Sequence, residues 1–269
     1  MSALSILFAF LRRDGRVALS YRASFALSAL SILFLLALFF YLGRIVDNAE
    51  FASTQGLDSD YFAYAVVGLA LLQILSVSMA SFSRKLREEQ TTGTFEALMA
   101  TPASPSLIIL ASAAYDLLQA VFSAIGLILL AVVVFGLHLD TDPASLAVAA
   151  TALVGCLGLF ASLGVVIAAF TVVFKRATAL LAMVISGLAL LGGVYFPIDV
   201  LPPVIEAVAR ALPFTWGLDV LRASLLGGEV DPVQLAGLFG AAALLLPAAL
   251  FAFGASVERA RRTGSLAQY

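Results

Sequence analysis

Charge is what this chain lacks most. Only 12% of its 269 residues are charged, whereas 62% are hydrophobic and the mean hydropathy is +1.06. A soluble domain carries roughly 25% charged residues, so neither a soluble globule nor a disordered chain fits. No basic excess exists either. The formal net charge is −2, which excludes a nucleic-acid binder. The one cysteine, Cys156, cannot form an intrachain disulfide and reads as a small apolar packing residue. The one histidine, His138, reads as a polar residue at a span boundary, because a metal site needs several ligands together. Lysine occurs twice, as Lys85 and Lys175, and neither follows glycine. A phosphate-binding loop ending in Gly-Lys-Ser/Thr is therefore absent, and no nucleotide site or cofactor is expected in this chain.

What the chain has is long uncharged runs. They cover residues 23–43, 61–83, 117–139, 143–174, 177–198 and 232–257. A helix needs about 20 apolar residues to cross a hydrocarbon core, so the sequence predicts six transmembrane helices. The third is expected to start near Ser106, which places Asp116 about 15 Å along its axis. An open sheet would leave backbone groups unpaired in lipid, and runs such as 127–135 lack the period-2 alternation of barrel strands. The first run is too long for a cleaved signal segment and reads as a retained anchor.

Lys and Arg fix the expected orientation. Twelve of the fifteen fall before the first run, in the second and fourth loops, and in the C-terminal tail; Arg44, Arg210 and Arg222 fall on the other side, with eleven acids. The positive-inside rule then puts both termini in the cytoplasm. The chain is thus read as one all-α polytopic membrane domain over 1–269.

Three segments between the runs are informative. In 1–22, Leu4, Leu7, Phe8 and Leu11 precede Arg12, Arg13 and Arg16, as in a helix lying in the membrane interface. In 84–105, Gly93 and Glu96 suit a helix start, Phe95, Leu98 and Met99 share a face, and Thr101-Pro102 ends the element. A short cytoplasmic helix between the second and third spans is expected; its chemistry suits equally an element that passes a push from a soluble partner into the bundle and a solvated loop with no partner. In 197–231, Val204, Val208 and Leu212 recur every four residues, Pro213 intervenes, and Phe214, Leu218, Leu221 and Leu225 follow at i, i+4, i+7 and i+11. Two short outer helices are expected to form an extracytoplasmic cap, re-entering the outer leaflet or covering the bundle, with Asp219 and Arg222 paired at i, i+3. Asp116, with Tyr115 and Gln119 beside it, is the one embedded acid: a candidate pathway group or, if its long span is tilted, a residue near the inner interface.

These segments resemble one family. The stretch REEQTTGTFEALMATPASP at 87–105 resembles the cytoplasmic loop of type-2 ABC transporter permeases, with charged residues, then Gly-Thr-Leu-Glu, then Leu-Leu-x-Thr-Pro. Phe95 departs from the commoner Leu. The stretch 193–228 resembles the family's segment before the last span, in its order of Phe-Pro, Leu-Pro, Leu-Pro-Phe-Thr and Leu-Arg, and 10–22 resembles the entry helix. The resemblance implies a permease that pairs with a second permease, often a copy of itself, in contact with membrane lipids. Two ABC ATPase subunits, binding ATP and Mg, would dock from the cytoplasm. Their contacts would be Arg87, Glu88, Glu89, Gly93, Thr94, Phe95, Glu96, Leu98, Thr101 and Pro102. The exit-side cap would comprise Gly193, Phe196, Pro197, Leu201, Pro202, Pro213, Phe214, Thr215, Asp219 and Arg222. Small residues Gly155, Gly158 and Ser162 would allow close helix packing.

Two alternatives stand beside it. An ion-coupled secondary carrier would use Asp116 and need no ATPase, but it lacks internal symmetry here. A membrane scaffold would recruit a soluble protein through the loop and move no substrate.

Overall fold

The computed structural model describes residues 22–46, 51, 60–91, 105–174 and 178–262. Within them the chain forms eight α-helices, one 3₁₀ turn and no strand. The helices are α1 (Arg22–Gly43), α2 (Tyr61–Thr91), α3 (Pro105–Phe135), α4 (Pro143–Phe174), α5 (Thr178–Leu191), α6 (Pro203–Arg210), α7 (Pro213–Leu225) and α8 (Pro232–Arg262), with the 3₁₀ turn at Ile198–Val200. The segment before Arg22 and the loop 92–104, where the sequence predicts an interfacial helix and a coupling helix, lie outside the described residues.

Four stretches are long and apolar enough to cross a membrane: Tyr61–Glu89, Leu107–Phe135, Pro143–Thr171 and Pro232–Arg259. They match the second, third, fourth and sixth expected spans. The first and fifth runs correspond to α1 and α5, whose shorter apolar stretches are Leu30–Gly43 and Ala179–Leu191. The fifth run does not stay helical to 198. Gly193 adopts φ +75° and the Val194 N–H bonds the Ala189 carbonyl, closing α5 at Leu191. The third span begins at Pro105, as expected, but stops at Phe135 because Gly136 turns to φ +70°.

Helix starts at the same end of the bundle are set by aspartates. Asp60 Oδ1 accepts from the Ala63 N–H, Asp142 Oδ2 from the Ala144 N–H, and Asp231 Oδ1 from the Val233 N–H. Each carboxylate satisfies an orphan donor in the first turn of α2, α4 or α8 and sits at the positive dipole end. The C-terminal ends of α3, α5 and α7 meet these starts. The Tyr61 hydroxyl donates to the Tyr195 carbonyl, and the Asp140 N–H to the Leu225 carbonyl. This acidic end is opposite the basic end, where α2 carries Arg84, Lys85 and Arg87.

The core is built around α4. It packs along α8 and against α2 and α7, while α2 packs along α3. Gly155 and Gly158 let α8 approach: a Cβ on Gly155 would lie 2.9 Å from Leu238, and one on Gly158 would lie 3.2 Å from the Ala242 Cβ. Ser162 is buried and bonds the Gly158 carbonyl. Cys156 is fully buried opposite Gly217 of α7. At the acidic end Phe40, Phe62 and Phe135 cluster with centroids 5.1–5.6 Å apart and fasten α1 to α2 and α3.

Candidate functional site

The sequence marks two regions, and the structure places them at opposite ends of α2. From Tyr61 to Arg84 the helix rises about 34 Å, the thickness of a hydrocarbon core with a small margin. Arg84 therefore sits at the basic-end boundary. Its Nη2 donates to the Asp116 Oδ2 at 2.6 Å. Asp116 is buried and Arg84 largely exposed. Asp116 lies about 28 Å from Phe135 along α3, within the apolar stretch Leu107–Phe135. The candidate pathway trio is not brought together. Tyr115 is half-buried, Gln119 is exposed on the bundle surface, and Asp116 turns to α2. Arg84 was not singled out with Asp116 in the sequence, because 32 residues separate them and no short spacing shows the pair.

Beyond Arg84, α2 carries the start of the loop motif. Arg87 and Glu88 are exposed, Glu89 is buried, and Lys85 lies 3.9 Å from Glu88. Gly93, Thr94, Phe95, Glu96, Leu98, Thr101 and Pro102 lie outside the described residues.

The cap at the acidic end is well defined. Two short helices meet at Leu212-Pro213, as the sequence predicts, with Pro at the first turn of each. Phe214, Leu218 and Leu221 are buried, and Phe214 packs on Phe160 of α4 with centroids 5.9 Å apart. Thr215 is buried beside Phe214. The apolar face of α6 is different: Val204 is 78% exposed and Val208 52%. Pro197 precedes the 3₁₀ turn and Phe196 is half-buried, while Leu201 and Pro202 lead into α6. Arg210 ties the cap together through Asp199 at 2.6 Å and Glu206 at 2.7 Å, and its carbonyl accepts the Trp216 Nε1–H at 2.7 Å.

Arg222 does something the spacing did not suggest. It forms no ion pair with Asp219 among the described residues. Its side chain is buried, Nε and Nη2 donate to the Tyr64 carbonyl at 3.2 Å, and Nη2 also donates to the Val194 carbonyl at 3.2 Å. The guanidinium carbon lies 3.3 Å from the centroid of the Tyr64 ring, a cation–π contact. Tyr64 completes the knot by donating its hydroxyl to the Gly193 carbonyl at 3.0 Å. Gly68, one turn on, makes room: a Cβ there would lie 2.6 Å from the Val194 oxygen and 2.8 Å from Arg222 Nη2.

Above this knot is a cleft of about 240 Å³, lined among others by Tyr64, Asp199, Arg210, Asp219, Arg222 and Asp231. Burial pushes the Asp219 carboxyl up to about 6, against the opposing pull of Arg222 and Arg210. Asp140, half-buried at the α3–α4 turn, is held below the usual carboxylate range by its Ser145 hydrogen bond. No group of three or more metal-binding side chains occurs among the described residues.

Comparison with known proteins bears on both ends of the molecule. Residues 7–226 match the family model described as ABC-2 type transporter. Nodulation protein J of Rhizobium leguminosarum bv. trifolii is 36% identical over 74 residues, 28% of each chain. Nodulation protein J of Neorhizobium galegae is 30% identical over 76 residues, 28% of this chain and 29% of the relative. The aligned stretch thus spans less than a third of these relatives' length.

Proposed function

This chain belongs to the ABC-2 type transporter family, and from that premise we propose that it is the permease subunit of an ATP-driven exporter. The observation that carries the proposal is the family match over residues 7–226, which includes the cytoplasmic loop and most of the cap. The cargo is an amphipathic, lipid-like or polymeric substrate, taken from the cytoplasm or inner leaflet. In this reading α1 and α5 complete six spans, with both termini cytoplasmic in a bacterial inner or plasma membrane. The chain itself hydrolyses nothing. Two partner ATPases bind ATP and Mg, and a second permease, a copy of this one, completes the pathway.

The mechanism is alternating access. ATP binding closes the two ATPases and moves the loop helix near Thr94–Thr101, with Glu96 and the exposed Glu88 at the end of α2 as polar contacts. The motion reaches α2 and α3, which flank that loop and are joined by Arg84–Asp116. The uncovered face of α6 suits contact with the outer leaflet or the second permease, and the cap opens on the exit side. The pairing of Asp116 with Arg84 at the boundary gives an ion-coupled carrier no further support.

The deciding experiment is purification of the tagged protein from its native host in mild detergent, with mass spectrometry of co-eluting chains. A near-stoichiometric soluble subunit carrying a nucleotide-binding motif is expected, lost on Glu96→Arg. A stable oligomer with no ATPase would overturn the proposal.

A further inference from the structure

Arg222 is a fully buried cation whose hydrogen-bond partners are uncharged. An apolar residue of similar volume is often as stable or more so at such a position, because burying a charge carries a desolvation cost. What an apolar residue cannot do is join separate elements through their carbonyls. Arg222 does this: from α7 it holds Tyr64 on α2 and Val194 in the turn that closes α5. Its planar fork suits two acceptors at once, which the point charge of a lysine does not. The hydroxyls of Tyr61 and Tyr64 reinforce the same junction at Tyr195 and Gly193. Gly68 leaves the space that it needs. The remaining attachments of α5 are modest, since it packs on α2 and α6. At its far end α2 runs on to Thr91 and into the loop 92–104.

We infer that Arg222 is a positioning residue that pins the cap to the outer end of α2, so that the cap follows α2 when the cytoplasmic loop is moved. This rests on the reading of 193–228 as the exit cap. Substrate does not touch Arg222 in this role; the residue acts through Tyr64 and Val194.

The test uses the whole complex in nanodiscs, with spin labels on Val204→Cys of α6 and Val233→Cys at the start of α8, both exposed. Cys156 is buried and escapes the label. In the otherwise unaltered complex the distance between labels is expected to change when ATP and vanadate trap the closed ATPases. In Arg222→Met that change is lost while ATP hydrolysis continues and the unfolding temperature holds or rises. A merely structural residue predicts the reverse, a lower unfolding temperature with the distance change kept, and that result overturns the proposal. Should Arg222→Met not assemble, Arg222→Lys carries the same test, because it keeps the charge and loses the fork. If the unaltered complex shows no change at all, the cap reading itself fails and the pin falls with it. If it changes and the variants change equally, the pin alone fails.

Discussion

Arg84 and Asp116 meet at 2.6 Å across the α2–α3 contact, and they are unequally buried: the carboxylate is enclosed and the guanidinium is mostly in solvent. That inequality decides which half of the pair matters more to stability.

Removing Arg84 strands a buried carboxylate, whereas removing the charge of Asp116 leaves an arginine that water can solvate. Arg84→Ala is expected to cost about 1–3 kcal/mol, and Asp116→Asn less than about 1 kcal/mol. The double variant should cost less than the sum of the two. A double-mutant cycle by thermal unfolding in detergent measures this, and equal single-variant losses would contradict it. In sealed proteoliposomes of the whole complex, collapsing the proton gradient should leave ATP-driven transport unchanged.

Asp219 sets a pH dependence at the cap. Its carboxyl is raised from 3.8 to about 6 in the folded protein, chiefly by burial. A raised acid binds more protons folded than unfolded, so its contribution is fully present below 3.8 and is lost as pH rises through 6. Asp219→Asn removes the titration. Its unfolding temperature should match that of the parent near the acid limit and exceed it above pH 6. The gain corresponds to at most about 3 kcal/mol. An unfolding series across this window checks the sign; a gain confined to low pH would refute it.

The α4–α8 seam depends on two missing side chains. Gly158→Val is expected to push α8 from α4 and to cost about 1–3 kcal/mol, because the Ala242 Cβ already lies 3.2 Å from the added carbon. Gly254→Ala is the control, since nothing lies within 4 Å of its added Cβ. Unfolding temperatures of the two variants should separate clearly; similar values would show that the seam can relax.

Much of this architecture is readable from charge and spacing. The absence of charge located the apolar helices, and Leu212-Pro213 placed the break between α6 and α7. Gly155 and Gly158 were legible as packing residues because small side chains at helical spacing have few other uses. The rest depends on information that spacing does not carry. Charge alone does not mark the end of the fifth helix; the Gly192-Gly193 pair signals the interruption in the sequence, and the positive φ of Gly193 makes it. The i, i+3 rule paired Asp219 with Arg222, but the partners of Arg222 are backbone carbonyls on α2 and after α5, invisible to any side-chain pattern. Both cap helices looked equally in need of cover, yet α7 buries its face and α6 leaves Val204 and Val208 open.

The aspartates that begin α2, α4 and α8 combine two properties that can be separated. Each accepts a backbone N–H, and each carries a negative charge. Asparagine or serine would keep the first property and discard the second. The electrostatic character of this face can therefore drift over evolutionary time, toward neutrality or back, while the points at which the helices begin stay fixed. Homologues with very different surface potentials here can share one helix register.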